Sequence, residues 1–180
     1  MSIEIEDGRG SGRRAGVDEE YRLEVHSVSY SESSDVARFK GATYLWTSSY
    51  SAGTGNEVIY IKNTSTTQNL IIDKATVNSV LTGLFELNVA AGTAGGTTIT
   101  GANSNLTSGN AASASSYGNA SVTGITPGTR LDMARVAANG RATMELNDIL
   151  ILGLNDAVSI TYTGSTGIVD IIITGYYLDR

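Results

Sequence analysis

Along most of this chain, apolar and polar positions alternate in short runs broken by small polar residues. Residues 21–29 (YRLEVHSVS) place Leu23, Val25 and Ser27 on one face. Residues 43–48 (TYLWTS) place Tyr44 and Trp46 together with Leu45 opposite, and 57–63 (EVIYIKN) follow after the turn cluster SAGTGN. Runs over 70–81 and 84–90 meet at Thr82-Gly83, and 149–152, 157–163 and 168–178 close the chain with strand-like text. Around residues 129–137 two patterns compete. Thr129 and Asp132 suit a helix start. Asn139-Gly140 is the strongest short hairpin signal, and apolar alternation resumes on both sides of it (Leu131 and Met133, then Met144 and Leu146), so a hairpin is expected. About eight to ten short strands without a convincing helix predict a sandwich or barrel. The expected fold is all-β, a jelly-roll-like antiparallel β-sandwich over residues 21–180 with an extended N-terminal arm over 1–20.

One stretch departs from this pattern. From residue 87 to residue 129 there is no Asp, Glu, Lys, Arg or His, and Gly, Ala, Ser, Thr and Asn dominate. Ordering each residue costs about 1–2 kcal/mol of backbone entropy, and a buried methyl group returns only about 0.8 kcal/mol. Small side chains alone therefore do not order such a segment. Residues 91–128 are expected as a long neutral loop, held by backbone hydrogen bonds, short strand pieces at 97–100 and 121–125, and a neighbouring subunit.

Residues 1–20 form a unit of their own. Ile3 and Ile5 sit among acidic residues, and GRGSGRR carries Arg9, Arg13 and Arg14 on a glycine-rich backbone. No strand precedes and no helix follows that run, so its Gly-x-Gly spacing is not a phosphate-binding loop. The isoleucines as anchors and the arginines as carboxylate partners suit an arm that orders on another protein.

Composition narrows the chemistry. A net charge of −6 argues against nonspecific nucleic-acid binding. Without cysteine there is neither a disulfide nor a thiolate zinc site, and one histidine, His26, leaves no His-rich metal site. No apolar window is long enough for a membrane span, and the first residues lack the apolar core of a signal peptide. Synthesis in a cytoplasm, with no membrane partner, is the expectation. No G-x-S-x-G, H-E-x-x-H or P-loop pattern occurs. Glu86, Asp132, Glu145 and Asp148 are carboxylates that folding could bring together, yet nothing in the pattern does so. The expectation is a protein that is not an enzyme, with no cofactor and no metal. Asn147-Asp148 and Asn155-Asp156 have the oxygen donors calcium prefers, and are equally ordinary turn residues. Tyr44, Trp46, Tyr50, Tyr60, Tyr176 and Tyr177 could form an aromatic platform for sugars, or serve as core and interface anchors. The N-x-S/T triplets at Asn63, Asn105 and Asn119 carry no weight in a chain so rich in these residues.

Two segments carry a family resemblance. Phe39-Lys40-Gly41-Ala42 leads into the Tyr44/Trp46 strand and EVIYIKNTS. The C-terminal half runs from GGTTITGANSNLTSGNAASASSYGNASVTG to NGRATMELNDILILGLNDAVSITYTGSTGIVDIIITGYYL. Both resemble trimeric jelly-roll virion proteins of tailed bacteriophages, in particular capsid decoration (cement) proteins, over most of residues 39–178. The resemblance implies a homotrimer on the capsid surface of the virion that clamps neighbouring major capsid protein subunits. The partner contacts it implies are Ile3, Ile5, Arg9, Arg13 and Arg14 in the arm, with Tyr44, Trp46 and Tyr117 as interface aromatics. The alternative is a phage neck or tail-fibre component, or a host-surface glycan-binding module.

Overall fold

The computed structural model describes residues 4–6, 14–17, 23–24, 36 and 40–180. The chain divides into two compact units, Met1–Ser31 and Glu32–Arg180. In the first, β1 (Glu4–Glu6), β2 (Arg14–Val17) and β3 (Leu23–Glu24) form an antiparallel sheet in that order. Ile5 stands opposite Ala15, and Glu6 opposite Arg14. Of residues 21–29, expected as the first sandwich strand, the described pair Leu23–Glu24 belongs to this small sheet.

The second unit contains β4 (Thr43–Ala52), β5 (Asn56–Asn63), β6 (Gln68–Ser79), β7 (Gly83–Gly95), β8 (Ala102–Asn103), β9 (Ala114–Tyr117), β10 (Thr123–Val136), β11 (Gly140–Leu152), β12 (Ala157–Gly164) and β13 (Gly167–Asp179). They form two five-stranded antiparallel sheets, β11-β6-β13-β4-β8 and β10-β7-β12-β5-β9. Among the long strands the pairs are nested: β4 with β13, β5 with β12, β6 with β11, β7 with β10. Such a folded-over hairpin, with its arms passing from one sheet to the other, is a jelly roll.

The facing sheets bury Trp46, Ile72, Leu87, Ile160, Ile171 and Ile173 at the centre. The period-2 pattern that predicted the strands fixes which side chains enter this layer. At one end Asn63 is fully buried. Its amide donates to the carbonyls of Gln68 (3.0 Å) and Leu152 (2.9 Å), and its oxygen accepts from the Ser65 nitrogen (2.9 Å), joining both sheets through a satisfied polar group.

Two expectations need correction. The Asn139-Gly140 turn is present, with Asn139 at φ 56°, and residues 129–136 are strand rather than helix. The strands it joins do not pair as a hairpin: β10 pairs with β7 and β11 with β6, so the turn carries the chain between sheets. The neutral stretch is also not a plain loop. β7 runs on to Gly95 and pairs with the start of β10, β8 extends one sheet beside β4, and β9 extends the other beside β5. Small neutral residues suit this role because the ladder is made of backbone groups and the flanking side chains carry no charge to desolvate.

The β7–β10 ribbon closes over the outer face of its own sheet. Ala90, Ala94, Val122 and Ile125 gather with Tyr60, Ala157 and Tyr117 in a second apolar cluster away from the central core. The fold-back requires glycine at two positions that meet where the β7–β10 register shifts. Gly92 has φ 102° and Gly124 φ 75°, and a Cβ on Gly92 would stand 2.5 Å from the Gly124 carbonyl oxygen.

Candidate interaction surface

The two lateral sides of the sandwich differ. On one side the sheets end in the short strands β8 and β9 of the neutral segment. On the other they end in β10 and β11, of 14 and 13 residues, with no further described strand paired to either. Alternation turns Leu131 and Met133 of β10 and Ile149 and Ile151 of β11 outward, and Ile149 is 82% exposed. An open edge invites strand addition by another chain. Here the backbone is blunted: Pro127 and three register shifts interrupt β10, and a bulge between Glu145 and Leu150 interrupts β11. Contact through the outward apolar side chains is what this side retains.

The bulge also gathers charge. Asn147 (φ 47°) and Asp148 (φ 63°) turn the strand out beside Asp73 of β6. Burial, followed by the Asp148 carboxylate, pushes the Asp73 pKa up, against a smaller downward pull from Lys74. The four carboxylates considered from sequence do not form one centre. Glu86 and Asp132 belong to one sheet, with Glu86 paired to Arg130 at 2.5 Å, while Glu145 and Asp148 belong to the other. Among the described residues no group of three or more His, Cys, Asp or Glu side chains could hold a metal ion. Asn155 (φ 70°) and Asp156 act as turn residues, the Asp156 carboxylate accepting from the Gly153 nitrogen at 2.9 Å. His26 lies outside the described residues.

The aromatic residues are placed differently from expectation. Tyr44 and Trp46, read as interface aromatics, are 2% and 0% exposed and fill the core of their own chain. Both lie on the inner face of β4, where alternation alone could not distinguish core from contact. Tyr117 is half-buried, its ring 6.1 Å from that of Tyr60. Tyr60, Tyr176 and Tyr177 are buried as well and Tyr50 is half-buried, so among the described residues these six aromatics form no exposed platform. Of the arm residues, Ile5 lies on β1 and Arg14 on β2, whereas Ile3, Arg9 and Arg13 lie outside the described residues. The outward faces of Leu131, Met133, Ile149 and Ile151 were not singled out from sequence as contacts. In the run ILIL every position is apolar, and only the sheet partner reveals which side faces water.

A cavity of about 270 Å³ opens beside Lys40, Tyr44, Gln68, Asn110, Tyr177 and Asp179. Gln68 donates to the Asp179 carboxylate at 2.9 Å, and the buried Tyr177 hydroxyl has no hydrogen-bond partner. No helix among the described residues is long and apolar enough to cross a membrane. No protein-family model, curated protein or solved structure matches this chain.

Proposed function

We propose that this chain is a structural virion protein, a decoration protein that binds the outer surface of a phage capsid as a homotrimer and bridges neighbouring major capsid subunits. The observation carrying this reading is the asymmetry of the sandwich. One side is closed by the neutral segment, and the other presents two long outer strands with Leu131, Met133, Ile149 and Ile151 turned to solvent. Exposed apolar side chains on a blunted edge favour docking against a fixed neighbour over open-ended strand pairing. Many modest contacts repeated over a symmetric shell then add through effective concentration. The test is electron microscopy of empty phage heads mixed with the purified protein. Density spread over the whole shell supports decoration, density at a single vertex indicates a neck or tail component, and bare heads overturn both.

The cavity favours a second reading, a host-surface glycan-binding module, because amide, carboxylate and phenol groups converge there. A glycan array separates the two: binding there together with bare heads would select this reading.

A further inference from the structure

The outer face of the β10-β7-β12-β5-β9 sheet carries a buried carboxylate with half of its hydrogen-bonding capacity unused. Glu57 is 6% exposed. Its Oε1 accepts from the Thr161 hydroxyl at 2.6 Å, and Thr161 in turn accepts from the Asn88 amide at 2.9 Å. Its Oε2 is buried without any partner, and so is the hydroxyl of Ser159, which is 0% exposed. Thr161 stands opposite Glu57 and Ser159 opposite Tyr60, with a register shift between Ile160 and Thr161, so Ser159 lies two residues along β12 from the partner of Glu57, on the same face as Thr161. Val122 seals this region, its nitrogen donating to the Glu57 carbonyl at 2.8 Å.

A neighbouring residue supplies the contrast. Glu86, also opposite Thr161, has its charge matched by Arg130. Among the described residues no Lys or Arg reaches Glu57, and a buried charge is sustained only when paired or when it coordinates a metal. The free groups are hard oxygen donors with a single negative charge between them, which matches a monovalent ion better than calcium, whose sites collect several carboxylates.

We infer that Glu57 Oε2 and Ser159 Oγ are two ligands of a buried monovalent cation, of sodium type, held between β5 and β12. The inference is independent of the capsid reading. Its test is the thermal unfolding of the full chain in sodium chloride and in choline chloride at equal ionic strength, which separates specific binding from screening. With sodium in about tenfold excess over its Kd, the Tm is expected about 3–6 °C higher than in choline. Glu57→Gln should erase that difference and be at least as stable as the parent in choline, since it removes the unmatched charge. Ser159→Ala should shrink the difference and serves if the first variant does not fold. Equal Tm values in the two salts, or an undiminished difference in the variants, overturn the inference.

Discussion

The backbone nitrogen of Asn119 donates to the hydroxyl of Ser48 at 2.8 Å, and that hydroxyl donates onward to the Val58 carbonyl at 2.7 Å. Ser48 is buried on β4, Val58 lies on the facing sheet, and Asn119 belongs to the neutral segment. The Asn119 side chain returns the contact, accepting from the Ser49 nitrogen at 2.8 Å. One serine thus ties the two sheets and the uncharged segment together within a single chain.

Ser48→Ala leaves a buried carbonyl and the Asn119 amide without their partner. The expected loss is about 1–3 kcal/mol, or a Tm lower by about 2–4 °C per kcal/mol for a chain of this size. Hydrogen exchange should quicken first around Asn119, and unchanged exchange there would show that the segment is held by other contacts.

Gly124→Ala places a Cβ against the Thr93 carbonyl at a positive φ. Both penalties act on the ribbon, so about 1–3 kcal/mol of stability should be lost. Because the ribbon covers Tyr60, fluorescence quenching of tyrosine by a neutral quencher should rise together with that loss.

Asp73 gives a pH dependence whose sign is fixed. Its folded pKa lies above the unfolded value, so the folded chain binds the proton more tightly, and stability contributed by this group falls as pH rises through the folded pKa. Asp73→Asn removes that cost. The variant should unfold at higher temperature than the parent at neutral pH, with the gap closing as the pH drops below the folded pKa. A gap that is constant with pH, or a less stable variant at neutral pH, would contradict the assignment.

How far the sequence carried can be read at particular residues. Ile171 and Ile173 lie two apart on one face of β13 and are 1% and 0% exposed, so the strand and its core were legible, although the intervening Ile172 is apolar too and only the sheet partners select the inner face. Asn139-Gly140 announced a tight turn, but turn chemistry is the same whether the flanking strands pair or part into different sheets, so the sheet change was not legible. Ala102–Asn103 and Ala114–Tyr117 have no apolar alternation because edge strands are held by backbone groups, which leave little trace in side-chain pattern. The orphaned oxygens of Glu57 and Ser159 were invisible for another reason. Their placement on adjoining strands depends on a register between segments about a hundred positions apart, and no local signal encodes it.

The most direct measurement of the central claim is cosedimentation of the protein with phage heads, comparing the parent with an Ile149→Lys, Ile151→Lys double variant. Both positions are exposed on β11, so the variant should keep its stability to within about 0.5 kcal/mol per substitution. The account predicts that the parent pellets with the heads to saturation while the folded variant stays in the supernatant. A variant that pellets as fully as the parent, or a parent that never pellets, would contradict it.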